Sequence, residues 1–376
     1  MQKIRMLYVG SGPLINRGVE KYITSVISRI DHSRFIIDIF TPNTCENEYL
    51  KDITEQYGGK VIEGHGRATS LLRELDYYKL LSTLIKNGEY DIIEIQTGSI
   101  LHLGLGIHAS RKNGHARVVA HSHNTQNSGL KAWIKQTLFR TDLINADAYF
   151  SCSEKAGIET FPKSILEKVI VVNNAIDTIH YTFSKDIRNQ IRESNMIPNE
   201  CSVFGFVGAL TEQKNPLFLI DVFKRIHDIN KQSKLWVIGD GELRIKVEEK
   251  IRFLGLDNDV KLFGNREDVN NLMQGMDCCI IPSLFEGLCI VAIEAQAAGL
   301  PVLASDVLPE NVEITDLISF VPLKKNVDYW AQSAIQQANR KTRIDTSQLI
   351  RKAGYDIDEM VGFLSQKYET LLSNSI

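Results

Sequence analysis

Two glutamates separated by seven residues, Glu286 and Glu294, bracket the segment Phe285-Glu286-Gly287-Leu288-Cys289-Ile290-Val291-Ala292-Ile293-Glu294, in which an apolar run gives way to a helical pattern. Gly287 lets the backbone approach a ligand closely. The amides of Leu288, Cys289 and Ile290 then open a helix, whose positive end suits a diphosphate. Glu286 lies just before that anion site and Glu294 within the first two turns, where carboxylates accept hydrogen bonds from sugar or ribose hydroxyls. A glutamate near a helix start also serves as a cap or a dipole partner, and Glu294 taken alone allows that reading equally.

Lys214, in Gly208-Ala209-Leu210-Thr211-Glu212-Gln213-Lys214-Asn215-Pro216, is a mobile point charge able to neutralise a departing phosphate. Alone it would read as an exposed lysine at a helix start. Glycine turns follow two further apolar runs, at Gly239-Asp240-Gly241 and at Gly264-Asn265-Arg266, and carry weight only through their order ahead of Glu286. His121 and His123, followed by Asn124, close the run Val118–Ala120. Such histidines are often satisfied structural groups. As metal ligands they lack an Asp, Glu or Cys cluster at supporting spacing, so no metal site is expected. The segment Gly10-Ser11-Gly12-Pro13-Leu14-Ile15 fails as a dinucleotide fingerprint, because Ile15 occupies the third glycine position.

These residues need strand ends and helix starts to hold them, and the hydrophobic pattern supplies both. Apolar runs Ile4–Val9, Ile36–Phe40, Ile92–Ile95 and Val118–Ala120 alternate with helical patterns over Glu20–Ile30 and Ser70–Lys86, which predicts a parallel sheet covered by helices. A second series follows a polar stretch over Asp186–Glu200. Its strands are Val203–Val207, Leu235–Ile238, Val260–Phe263, Cys278–Pro282 and Pro301–Ala304, with helices over Asn215–Ile229, Glu242–Phe253, Glu267–Met276 and Cys289–Ala298. The expectation is an α/β chain of two doubly wound, Rossmann-like domains facing a central cleft, with chemistry on strand-end loops. Residues 1–182 and 201–352 form the domains, 183–200 a linker. The stretch 353–376 holds a helix, over Asp356–Leu372, that returns to the first domain.

Composition narrows the function classes. The chain has 376 residues, 43% hydrophobic and 24% charged, and a formal net charge of -3. That is ordinary globular composition for two domains, and it excludes nucleic acid as the main partner. Six cysteines lie without a CxxC pair, as expected for free thiols in a reducing cytoplasm. No apolar stretch approaches the ~20 residues of a membrane span, and no signal-peptide cleavage region follows the start.

The whole pattern resembles the retaining family 4 glycosyltransferases of the GT-B fold. The ExxxxxxxE segment closed by Gly299-Leu300-Pro301 is similar to their signature. The loop carrying Lys214 is similar to their diphosphate clamp, with Ala209 standing where an arginine is common. The turns at Gly239-Asp240-Gly241 and Gly264-Asn265-Arg266 resemble those beside the nucleotide base. Arg17-Gly18-Val19-Glu20 resembles their glycine-rich loop, with Arg17 in place of the first glycine. His121-Ser122-His123-Asn124 resembles the histidine motif of the capsule and exopolysaccharide branch, and Ser151–Gly157 and Val172–Asp177 resemble two further landmarks.

The resemblance implies transfer from a nucleotide sugar, with a UDP-sugar as the first expectation, to a lipid-linked saccharide or oligosaccharide, with retention and without metal or cofactor. His123 and Glu286 would act on the reacting sugar, with His121 the alternative histidine and Arg17 and Asn124 as further candidates. The donor would contact Gly18, Lys214, Gly239, Gly241, Arg266, Gly287, Leu288, Cys289, Ile290 and Glu294. Two alternatives stay open: a sugar-nucleotide epimerase or phosphorylase on the same fold, and a catalytically weak UDP-binding partner of another transferase. Residues 129–140 place Leu130, Trp133, Ile134, Thr137 and Leu138 on one face amid Lys131, Lys135 and Arg140. Such a helix suits either a core or a peripheral contact with the inner face of the cell membrane.

Overall fold

The computed structural model describes residues 3–15, 18–64, 70–123, 130–340 and 342–373, with side chains for all of these except 70–72 and 130–133. The chain divides into two compact units, Met1–Ala175 with Ile357–Ile376, and Ile176–Asp356.

The first unit is built on seven parallel strands: β1 (Ile4–Val9), β2 (Phe35–Thr41), β3 (Val61–Glu63), β4 (Ile92–Thr97), β5 (Arg117–Ser122), β6 (Ala148–Ser151) and β7 (Val169–Val171), in the order β3-β2-β1-β4-β5-β6-β7. Central strands read as continuous apolar runs because helices cover both faces of a parallel sheet. Met6, Leu7, Tyr8 and Val9 of β1 are fully buried. Helix Ile357–Ser373 belongs to this unit, burying Met360, Val361, Leu364 and Tyr368 in a cluster with Phe35, Tyr22 and Ile23. Burial of side chains this size stabilises by roughly 1.5–3 kcal/mol each, which anchors the helix.

The second unit has six parallel strands, β8 (Ser202–Val207), β9 (Ser233–Ile238), β10 (Val260–Gly264), β11 (Cys278–Ile281), β12 (Val302–Ser305) and β13 (Ile318–Val321), in the order β10-β9-β8-β11-β12-β13. In both sheets the order reverses beside the first strand of the unit, and ligand crevices form at such a switch point. Cys278 and Cys279 are fully buried on β11, and all six thiols are free and buried. No helix among the described residues is long and apolar enough to cross a membrane.

The expected linker 183–200 needs correction, since it contains helix Lys185–Ser194, part of the second unit. Its one fully buried side chain is Arg192, with Ile191 half-buried against the core beside it, so a pattern of apolar residues hid it. Arg188 donates to the carbonyls of Gln274 and Met276, and Arg192 to those of Gly275 and Pro198, while both reach the carboxylate of Asp277 at 2.6 and 3.2 Å. The boundaries expected at 182 and 353 also shift, to 175/176 and 356/357. Ile176 donates its amide to the Tyr355 carbonyl at 2.9 Å and bridges to Asp356, so both chain crossings belong to one hydrogen-bonded patch.

Candidate active site

In the second unit, three loops at the carboxyl ends of neighbouring strands are bonded together. The loop after β8 runs through a single turn, Glu212–Lys214, to Asn215, whose left-handed conformation (φ 55°) starts helix Pro216–Ile229. Asn215 tolerates that conformation where a branched residue would not. Its side chain donates to the Pro282 carbonyl, and Gln213 donates to the carbonyl of Phe285 at 3.0 Å. The amide of Leu284 returns a bond to Gln213 at 2.8 Å. The loop after β11 is thereby fixed against the loop after β8.

This lacing brings Lys214 and Glu286 together. Lys214 Nζ lies 2.5 Å from Glu286 Oε1, and the Ser283 hydroxyl donates to the same oxygen at 2.7 Å. Ser283 is held in turn by Ser305, which donates to its carbonyl. The Glu286 side chain is only 4% exposed against 23% for Lys214, so the carboxylate is fixed and the ammonium is the movable partner.

Gly287 is exposed, Leu288 and Ile290 are half-buried, and Cys289 is the buried N-cap of helix Ile290–Ala297. That helix start has no side-chain cap and no acid in its first turn, which leaves its positive end uncompensated by its own sequence. Burial, with the Glu286 charge next, pushes the Cys289 thiol up to about 12, so it is no nucleophile. Glu294 sits in the second turn, half-buried, and hydrogen-bonds Tyr181, whose hydroxyl is held well above its ordinary pKa by burial and then by the Glu294 charge.

Gly239 and Gly241 act on the backbone. At φ 126°, a Cβ on Gly239 would lie 2.0 Å from the Gly208 carbonyl oxygen, and one on Gly241 2.7 Å from that of Leu210. These glycines let the turn after β9 pack against the lysine loop, where Leu210 donates to the Asp240 carbonyl at 2.9 Å. Ala209 is exposed on that loop. Arg266 turns onto Asp268 through two bonds of 2.8 Å, a bidentate pair at the surface.

In the first unit, His121 is the penultimate residue of β5 with no exposed surface, and His123 follows the strand half-buried. Their rings stack with centroids 4.1 Å apart, and Tyr22 meets both edge-on at 5.1 Å. Burial pushes His121 down to about 3 and holds His123 well below the usual imidazole range, so both are neutral near pH 7. Neither Nε2 has a hydrogen-bond partner among the described residues. Gly18 opens helix Gly18–Ile27, which carries Tyr22. Arg17 and Asn124 lie outside the described residues.

The structure adds residues that the sequence did not single out: Ser283 and Gln213 beside the ion pair, Tyr181 on Glu294, and Glu94 and Tyr368 behind the histidines. Glu94 had a signal, a lone carboxylate inside Ile92-Ile93-Glu94-Ile95. Helix Leu130–Leu138 ends before Arg140 and shows Ile134 and Leu138 exposed, while Gly129 and the side chains of Leu130, Lys131 and Trp133 lie outside the description. Among the described residues no three His, Cys, Asp or Glu side chains group to hold a metal ion.

Comparison with known proteins agrees with this layout. Residues 16–180 match the family described as Glycosyltransferase Family 4, and residues 201–339 match Glycosyl transferases group 1. EpsF from Bacillus subtilis strain 168, whose name assigns it to the glycosyltransferases, is 28% identical over 375 residues, covering 97% of this chain and 96% of its own. A UDP-Gal:alpha-D-GlcNAc-diphosphoundecaprenol alpha-1,3-galactosyltransferase from Escherichia coli is 25% identical, covering 85% of this chain and 86% of its own. Among solved structures, Anabaena HepE in complex with UDP superposes with a TM-score of 0.74 at 19% identity, covering 98% of this chain and all of that one. With two parallel-sheet Rossmann-like units and both halves matched, the chain belongs to the family 4 glycosyltransferases of the GT-B fold.

Proposed function

We propose that the chain transfers a sugar from a nucleotide sugar, with a UDP-sugar as the first choice, to a lipid-linked saccharide in polysaccharide synthesis, retaining the anomeric configuration and using no metal. The observation that carries this reading is the Lys214–Glu286 pair beside the uncapped start of helix Ile290–Ala297. Separating a cationic sugar from a departing diphosphate is the hard step, and preorganised positive groups lower its barrier most. Lys214, the mobile half of the pair, swings from Glu286 onto the diphosphate, and the amides of Gly287, Leu288, Cys289 and Ile290 share the charge. Glu286, freed of its ammonium but still held by Ser283, then accepts hydrogen bonds from sugar hydroxyls. Glu294 takes ribose hydroxyls, Gly239, Gly241 and Arg266 border the base, and Gly18 borders the sugar. His123, neutral and with a bare Nε2, contacts the sugar as positive charge develops.

HepE in complex with UDP-glucose and the diphosphoundecaprenol-linked substrate in the name of the Escherichia coli relative support the choice of donor and acceptor. The exposed Ile134 and Leu138 support a peripheral contact between helix Leu130–Leu138 and the membrane carrying such an acceptor. The test is to incubate the pure protein and a panel of UDP-, GDP- and ADP-sugars with an undecaprenyl-diphosphate saccharide, with and without EDTA. An EDTA-insensitive product with the donor's anomeric configuration, read by proton NMR, is expected. Product of inverted configuration, dependence on metal, or donor binding without any transfer would overturn the corresponding part.

A further inference from the structure

Glu94 is a carboxylate placed in the middle of a parallel sheet. It has no exposed surface, and three side chains converge on it: His121 Nδ1 at 2.8 Å and Gln96 Nε2 at 3.2 Å from Oε1, and the Tyr368 hydroxyl at 2.6 Å from Oε2. Tyr368 comes from helix Ile357–Ser373, 274 positions along the chain, and its hydroxyl also lies 3.0 Å from that of Tyr8 on β1. A buried carboxyl group costs free energy relative to an apolar filler, as a charge or as a neutral acid that must keep hydrogen-bond partners. The group that gains is His121, held through Nδ1, against whose ring His123 is stacked.

We infer that Glu94 and Tyr368 are positioning residues that fix the ring and tautomer of His121 and, through the stack, the orientation of His123. The docking of the last helix thereby fixes the two histidines within the first unit. A hydrogen bond at Nδ1 sets both the rotation of an imidazole and the state of its other nitrogen. The unpartnered Nε2 atoms of both rings are then presented in a fixed direction. The groups that act on Glu94 are Tyr8 on β1, Tyr22 on helix Gly18–Ile27, Gln96 on β4, His121 on β5 and Tyr368, with His123 and Cys152 one contact further out, against His121 and Tyr22. None of them is a cation at neutral pH, and burial pushes Glu94 up to about 8.

The inference rests on the role proposed for His123, and its test keeps the two apart. Glu94→Gln and Tyr368→Phe are made in the full chain beside His123→Ala, and each is measured for kcat, KM, UDP affinity and thermal midpoint. Long-range nitrogen–proton NMR of histidine-labelled protein reads the tautomers. Both positioning variants are expected to lower kcat about tenfold, as small misplacements do, with altered His121 signals and UDP affinity within about twofold of wild type. Unchanged kcat and unchanged histidine signals, while His123→Ala is inactive, overturn the inference and leave the proposed function standing. A UDP affinity that falls as far as kcat also overturns it, since general loosening would explain both. If His123→Ala turns over normally, the role of His123 fails, and the NMR signals still decide whether Glu94 and Tyr368 fix the rings. If Glu94→Gln does not fold, Tyr368→Phe, which keeps its ring in the core, decides alone.

Discussion

Lys214 and Glu286 stand 72 positions apart in the chain, yet the ammonium of one touches the carboxylate of the other at 2.5 Å. The contact exists because the loops after β8 and β11 leave adjacent strands at the switch point of the second sheet and are stitched by Gln213 and Asn215. A nearly buried carboxylate, four residues ahead of the uncapped start of helix Ile290–Ala297, thus holds the ammonium.

Replacing Lys214 with Met leaves the Glu286 carboxylate with the Ser283 hydroxyl as its hydrogen-bond partner among the described residues. Stability should fall by about 1–3 kcal/mol, the usual cost of orphaning a buried polar group, and kcat/KM by about a hundredfold. In the double variant Lys214→Met/Glu286→Gln, urea titration should show stability recovered while activity stays low. Recovery of activity along with stability would refute a direct role for the lysine.

Glu286→Ala and His123→Ala should each lower turnover at least about tenfold with the fold intact, as groups acting mainly on the transition state do. Steady-state kinetics with circular dichroism as control checks this. Near-normal turnover removes the residue from the site.

Gly239→Ala puts a methyl 2.0 Å from the Gly208 carbonyl oxygen at φ 126°. Both the clash and the backbone strain act, so a loss of about 3 kcal/mol is expected in urea unfolding. A variant as stable as wild type would show that the two loops need not pack this closely.

Buried titrating groups predict a pH signature. The folded Glu94 carboxyl keeps its proton up to about pH 8, against 4.5 for the free side chain, so its contribution to stability is lost as pH rises through about 8. His121 has the opposite sign, with a folded value of about 3 against 6.5, and costs stability as pH falls below 6.5. His123 follows His121 in direction. Of these three, only Glu94 acts between about pH 6.5 and 8, where wild type should lose of the order of 1–2 kcal/mol. Glu94→Gln should flatten that slope in urea titrations, and an unchanged slope would exclude Glu94 as its source.

The fold was legible where burial is apolar. Ile4–Val9, Val203–Val207 and the Cys278-Cys279 run are strands because both their faces are covered, and the pattern needs only continuity. Helix Lys185–Ser194 escaped because its fully buried side chain is an arginine paired with Asp277, and Ile191 alone does not make an apolar stripe. In the site, the loop residues Lys214 and Glu286 were readable from types and order, and the structure brings them together. The support behind the histidines was not readable, since nothing local joins Glu94 on β4 to Tyr368 near the end of the chain.

That last helix also governs the order in which the chain can mature during synthesis. Residues 176–356 are contiguous and have everything their own core needs once they emerge from the ribosome. The amino-terminal sheet, although made first, must wait with its Phe35 and Tyr22 surface uncovered until Met360, Val361, Leu364 and Tyr368 have been translated. A chain cut before Ile357 would therefore keep a second unit whose core is complete and a first unit whose Phe35 and Tyr22 surface is open to proteases.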